Sequence, residues 1–180
     1  YIINVSGSEI CTLVNDSRPA FSKEKSTLKR YFESDSVKST LTLQNFNETS
    51  YPVFIDDIPF PNTFFSKKDI YRYFFYHSHQ NEGTLPHNHG DAFNILQSGV
   101  KHWIFYDASK TNSNAGFSEM INTLKKYPPG SHARDYFKNE FKTFIDKKID
   151  VYECIQEAGD MVYIPREFCH AVLNLSEVMG

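Results

Sequence analysis

Apolar and polar positions group into short runs along most of the chain and switch to a helical period only in one stretch past its middle. Tyr71 to Tyr76 is an aromatic run that reads as a buried strand, continuing through His77 and His79 before a turn at Asn81 to Gly83. Val100 to Tyr106 is a second strand, and strand character returns at Val151 to Ile155, Met161 to Ile164 and Ala171 to Leu175. Between Asp107 and Asp150 the period changes. Phe117, Met120, Ile121 and Leu124 follow the i, i+3, i+4, i+7 spacing of a helix face until Pro128-Pro129 stops it, and Phe137, Phe141, Phe144 and Ile145 repeat that spacing, with Ser131 placed to cap. This predicts a two-helix insertion.

The N-terminal third is less regular. Leu28, Tyr31 and Phe32 share a face and predict a short helix from about Ser22 to Phe32, while Tyr51 to Phe60, broken by Pro52 and Pro59, suits an edge strand or an extended connection. Short, turn-bounded strands on both sides of a helical insert fit a mainly β jelly roll or small barrel better than a parallel α/β sheet. No repeat and no Gly/Ser/Pro-rich linker divides the 180 residues. The expectation is one domain over 1–180: an N-terminal flank at 1–70, a barrel core at 71–106 and 151–180, and the insertion at 107–150.

Composition narrows the partners. A formal net charge of -3 and a pI near 6.2 provide no basic field for phosphate backbones, so no direct nucleic-acid partner is expected. No apolar run approaches the length of a membrane span, which needs about 18 residues or more. Cys11, Cys154 and Cys169 fit no zinc knuckle; they read as isolated thiols, with a Cys11 to Cys154 bridge as the alternative in an oxidising compartment. N-x-S/T sequons at Asn4, Asn15, Asn47 and Asn174 point weakly to the secretory pathway.

The chemistry concentrates in two segments. In Gly83-Thr84-Leu85-Pro86-His87-Asn88-His89-Gly90-Asp91, alternate side chains of an extended chain share a face. His87 and His89 therefore point toward one interior place, and Asp91 joins them if Gly90 does not kink the strand. Two converging imidazoles are half of a metal site, although an H-x-H alone is equally an exposed polar pair on a loop. In the second segment, Gly159 to Asn174, a glycine turn feeds a strand, Pro165 ends it, and a bend delivers His170 at the start of the next strand.

The spacing G-x5-P-x4-H-x3-N of that segment resembles the second conserved box of the cupin superfamily, and the upstream H-x-H resembles its first. Within cupins the chain is similar to the JmjC branch, most closely over residues 83–106 and 151–176. In the run Asn94 to Phe105, Asn94 is followed seven positions on by Lys101, as in JmjC domains where that lysine binds 2-oxoglutarate. Thr84 stands three residues before His87, where JmjC hydroxylases commonly carry a Thr that holds the same carboxylate. The resemblance implies a double-stranded β-helix holding Fe(II) or another divalent metal on His87, His89 and His170. It further implies a 2-oxoglutarate site at Thr84, Asn94, Lys101 and Asn174, and a protein side chain as substrate. Lysine and asparagine in such places are also ordinary strand and turn residues.

One departure bears on activity. JmjC enzymes usually carry H-x-D or H-x-E, whereas His89 occupies the carboxylate position, leaving three neutral ligands unless Asp91 substitutes. This variant, with the insert ending in Tyr127-Pro128, resembles the JmjC proteins of the endoplasmic reticulum lumen. The resemblance implies a 2-oxoglutarate-dependent protein hydroxylase, with a catalytically inactive metal-binding or scaffold protein as the alternative; histone demethylation is less favoured, and Lys101 and Thr84 argue against a three-histidine cupin that acts on a small substrate without 2-oxoglutarate. Of the other histidines, His77 and His79 are expected to be partly exposed beside a turn and His102 to face away from the site. Trp103 and Phe105 are assigned to the face opposite Lys101, against the insert.

Overall fold

A computed structural model describes residues 73–107, 122, 125–127, 131–146, 151–166 and 168–180, and the backbone of 10–14, 23–27 and 40–46. The strands are β1 (Ile10–Val14), β2 (Lys23–Thr27), β3 (Thr40–Phe46), β4 (Tyr73–Ser78), β5 (Gly83–His87), β6 (Ala92–Ile95), β7 (Val100–Asp107), β8 (Tyr152–Glu157), β9 (Met161–Ile164), β10 (Phe168–Asn174) and β11 (Val178–Met179). They form three antiparallel sheets in the orders β11-β4-β3-β1-β2, β5-β10-β7-β8 and β6-β9. The mainly β, jelly-roll expectation holds.

The segment expected to start a helix near Ser22 instead contains β2. Lys23–Thr27 pairs with β1 from Ile10↔Thr27 to Val14↔Lys23. Its sequence, KEKST, has no large apolar side chain, so a helix there has no face to bury and the ladder to β1 decides. Leu28, Tyr31 and Phe32, which carried the helical period, lie outside the described residues, as do Tyr51 to Phe60 and the first predicted helix of the insert around Phe117 to Leu124.

The second helix of the insert is present. It runs as α1 (Ala133–Tyr136), a π-helical stretch (Phe137–Phe141) and α2 (Lys142–Asp146). Its N-cap is His132 rather than Ser131, and no side chain caps it. The wider π turn leaves Glu140 on the buried side with Phe137. There Lys126 Nζ and Tyr127 Oη both donate to its carboxylate at 3.2 Å, which compensates the buried charge.

β7 and β10 are buried on both faces, and the pairing Trp103↔Val172, Ile104↔Ala171, Phe105↔His170 sorts their residues into two layers. Ile104, Tyr106, Cys169 and Ala171 pack outward against Tyr136, Phe137 and Phe144. Trp103, Phe105 and Val172 pack inward with Ile164. Tyr136, Phe144 and Ile104 are completely buried, each stabilising the fold by roughly 1.5–3 kcal/mol. His102 faces out, as expected, with its ring 5.0 Å from that of Phe137 and 5.4 Å from that of Phe141.

Cys154 and Cys169 are both free thiols, so the Cys11 to Cys154 bridge does not form.

Candidate metal centre

The first two imidazoles are delivered by a short strand with a fault in it. β5 pairs with β10 as Leu173↔Gly83 and Val172↔Thr84, then slips, so that His170 faces His87. The slip falls at Leu85-Pro86, where proline has no N–H to give the ladder. Thr84 and His87, three apart, thereby come onto one face, which strict alternation forbids. The approach of the two strands needs a glycine: Gly83 has φ +152, and a Cβ there would meet the Val172 carbonyl oxygen at 2.0 Å.

His89 lies beyond the strand, in the exposed turn Asn88 to Asp91, yet its ring joins the others. Ring centroids are 4.3 Å apart for His87 and His170, 4.7 Å for His89 and His170, and 5.5 Å for His87 and His89. One nitrogen from each ring lies within 4.8 Å of the other two. Each Nδ1 is tied to a main-chain oxygen, His87 to Leu85 at 2.8 Å, His89 to Gly90 at 2.6 Å and His170 to Phe168 at 3.3 Å. With Nδ1 as donor in each, the Nε2 lone pairs are left for a common ion.

Electrostatics favour the neutral, ligating form. Burial, with His87 nearby, pushes the His170 imidazole down to about 3, and burial likewise lowers His87. Three imidazoles around a transition metal bind at about 2.0–2.1 Å, so modest closing of the rings completes the geometry. The donor set fits a divalent ion.

Asp91 does not join the cluster. Its carboxylate accepts from Tyr163 Oη at 2.9 Å, from the Arg166 amide at 3.1 Å and from Arg166 Nε at 3.0 Å. These donors, the Arg166 amide foremost, favour the ionised form and hold the carboxyl pKa below the usual carboxylate range.

Lys101 lies on the inward face of β7 and is 6 % exposed. Its ammonium sits 3.7 Å above the Tyr76 ring and 5.7 Å from that of Trp103. No carboxylate among the described residues pairs with it, and burial pushes it down to about 7. Trp103 and Phe105 share this face with Lys101, a correction to the expectation, because the three are alternate residues of one strand. Their stacked rings are 5.9 and 6.1 Å from that of His170, so they line the same face from the lysine toward the imidazoles. Parity along β7 was the signal that identifies them.

The asparagines are engaged. Asn94 Oδ1 accepts from Tyr76 Oη at 2.9 Å, and Asn174 Nδ2 donates to Ser78 Oγ at 2.8 Å and to the His79 carbonyl at 3.1 Å. Asn174 is 3 % exposed, so this sequon is closed to glycosylation in the folded chain. Thr84 is exposed on the His87 side of β5. His77, expected to be partly exposed, is instead buried and bonds Glu177 at 2.6 Å. Gln156, unremarked in the sequence, is fully buried and accepts from Trp103 Nε1 at 2.8 Å, which fixes the indole. Beside Phe105 a cavity of about 320 Å³ opens between β8 and β9, lined by Tyr152, Cys154, Val162, Pro165 and Phe168 among others.

A family model described as the JmjC domain matches residues 63–180. The chain belongs to the JmjC domain family. Among solved structures it is similar to E. coli ycfD, with a TM-score of 0.54 and 18% identity. That match covers 96% of this chain but 40% of the other, so the chain spans less than half the length of that relative. No curated protein matches the sequence. Within the JmjC fold, the converging imidazoles lie at the ends of β5 and β10 and the buried lysine on β7, so one inward face carries both groups. Among the described residues no helix is long and apolar enough to cross a membrane.

Proposed function

We propose that this JmjC domain is an Fe(II)- and 2-oxoglutarate-dependent oxygenase that hydroxylates a protein side chain. The observation that carries the reading is a buried lysine with no carboxylate partner among the described residues, on the same inward face as three converging imidazoles. Among the described residues the buried ammonium meets no counter-charge, and a dicarboxylate anchored at the ion would supply one. His87, His89 and His170 would hold the ion, and Lys101 with Thr84 the distal carboxylate. Asn94 acts through Tyr76, while Asn174 braces the Ser78-His79 turn. When bound, the metal and its co-substrate supply the oxidising power to break a C–H bond. The chain's own residues orient and shield: Trp103, locked by Gln156, and Phe105 keep water from one side. The apolar cavity beside Phe105 suits the flank of a peptide side chain.

A second reading has a specific observation behind it. His89 stands where a carboxylate is usual, and Asp91 is held elsewhere by three donors. Three neutral ligands leave the ion its full charge, which suits a binding or scaffold protein with a silent site. The remaining sequons, at Asn4, Asn15 and Asn47, support a lumenal compartment under either reading.

Metal analysis combined with 2-oxoglutarate turnover under Fe(II) separates them. Turnover that disappears in His87→Ala and in Lys101→Ala supports the oxygenase. Metal uptake with no turnover, and turnover gained by His89→Asp, supports the silent site. A protein that takes up neither metal nor 2-oxoglutarate removes the oxygenase and the metal-binding role, and leaves only a metal-free scaffold.

A further inference from the structure

The three imidazoles are not held equally. His170 is on β10 and His87 closes β5, both fixed by ladder hydrogen bonds. His89 has no ladder: Asn88, His89, Gly90 and Asp91 are all exposed and outside any strand, and the one bond of its ring goes to the adjacent residue, Gly90. What crosses from this turn to the rest of the site is the Asp91 carboxylate.

Its bonding partners sit where the β6-β9 ladder ends. The last pair of that ladder is Ala92↔Ile164. The residue that follows β9, Pro165, has no N–H, so the pairing cannot continue. Asp91 Oδ1 instead takes the following amide, that of Arg166, at 3.1 Å, together with Tyr163 Oη at 2.9 Å, while Oδ2 takes Arg166 Nε at 3.0 Å. Arg166 lies in the turn closed by the bond from the Phe168 amide to the Pro165 carbonyl, and the Phe168 carbonyl is the one that His170 Nδ1 binds. The carboxylate therefore connects the loop of one imidazole to the turn that orients another.

We propose that Asp91 is a positioning residue, a clasp that sets the place of His89 relative to His170 before an ion arrives. The inference rests on the metal reading of the three imidazoles. An exposed ion pair alone contributes little. Here two of the three donors are neutral, one of them main chain, so the clasp has a directional part that salt does not screen. Without it, metal binding must itself order the turn, and removal of such outer partners typically weakens metal affinity by about 10- to 100-fold.

The test is Co(II) binding to the full chain, read by its visible absorption, with amide hydrogen exchange on the metal-free protein. In Asp91→Ala the affinity falls about ten-fold or more, in line with the usual cost of lost outer partners. The spectrum of the saturated complex stays that of the wild type, and the Arg166 amide, which loses its acceptor, exchanges faster. Tyr163→Phe and Arg166→Ala each give a smaller loss, and Arg166→Ala adds less on top of Asp91→Ala than it costs alone. His87→Ala abolishes uptake yet leaves the Arg166 amide protected. The clasp is overturned if Asp91→Ala binds Co(II) as tightly as the wild type, if exchange is unchanged, or if the saturated spectrum changes as for a lost ligand. A wild type that takes up no Co(II) overturns the metal reading and the clasp's purpose together, whereas normal uptake with an indifferent Asp91→Ala overturns the clasp alone.

Discussion

The ammonium of Lys101 rests 3.7 Å from the centre of the Tyr76 ring, and among the described residues this aromatic face, not a carboxylate, partners the buried charge. A cation–π contact offsets only part of the desolvation penalty.

The stability of the ligand-free protein therefore depends on pH through this lysine. Its folded value is lowered from 10.5 to about 7, so between those limits the unfolded chain binds the extra proton. The sign follows: stability rises as pH goes from about 7 to 10.5, by at most about 1.4 kcal/mol per pH unit, and the full penalty is present below that window. Lys101→Met should flatten the slope and stabilise the ligand-free fold at pH 7 while losing 2-oxoglutarate binding. Denaturant titrations across this range read it; an unchanged slope places the charge in water.

Acid acts through the imidazoles in the same sense. His170 goes from 6.5 to about 3 on folding, chiefly by burial and then by His87. Its stabilising share is complete above 6.5 and declines as pH falls toward 3. His170→Gln should reduce the acid sensitivity of the metal-free protein over that window, measured by thermal unfolding at successive pH values.

Trp103 is the one tryptophan of the chain, and its ring lies 5.9 Å from that of His170. Intrinsic fluorescence thus reports the site directly. Co(II) should quench it strongly in the wild type and hardly at all in His87→Ala. Equal quenching in both would place the ion elsewhere.

Gly83→Ala tests the strand approach at the base of the site. The new methyl meets the Val172 carbonyl oxygen at 2.0 Å and the backbone has positive φ. A loss of about 2–3 kcal/mol in chemical denaturation is expected from strain of this kind. A loss below about 0.5 kcal/mol, within the range of ordinary surface changes, would mean that β5 and β10 pair more loosely.

Much of this was legible in the residues, and the misses have physical causes. Runs such as Val100 to Tyr106 and Met161 to Ile164 announce their strands because tertiary burial reinforces local preference. The convergence of His87, His89 and His170 was readable from two spaced motifs. The β5 bulge was not, because register depends on β10, which lies far along the chain. KEKST as a strand was hidden for the same reason, since its pairing with β1 is invisible locally. Asp91 looked like a fourth ligand by parity, and only the fold brings Tyr163 and Arg166 to it.

The two-layered packing of β7 and β10 also works as a proofreading device. Shifting β7 by one residue would send Lys101 into the hydrocarbon layer beside Phe144 and turn Ile104 inward, and the same shift of β10 would exchange His170 with Ala171. A misaligned barrel of this kind loses its oily layer together with its imidazole cluster, so molecules that complete folding carry the cluster assembled.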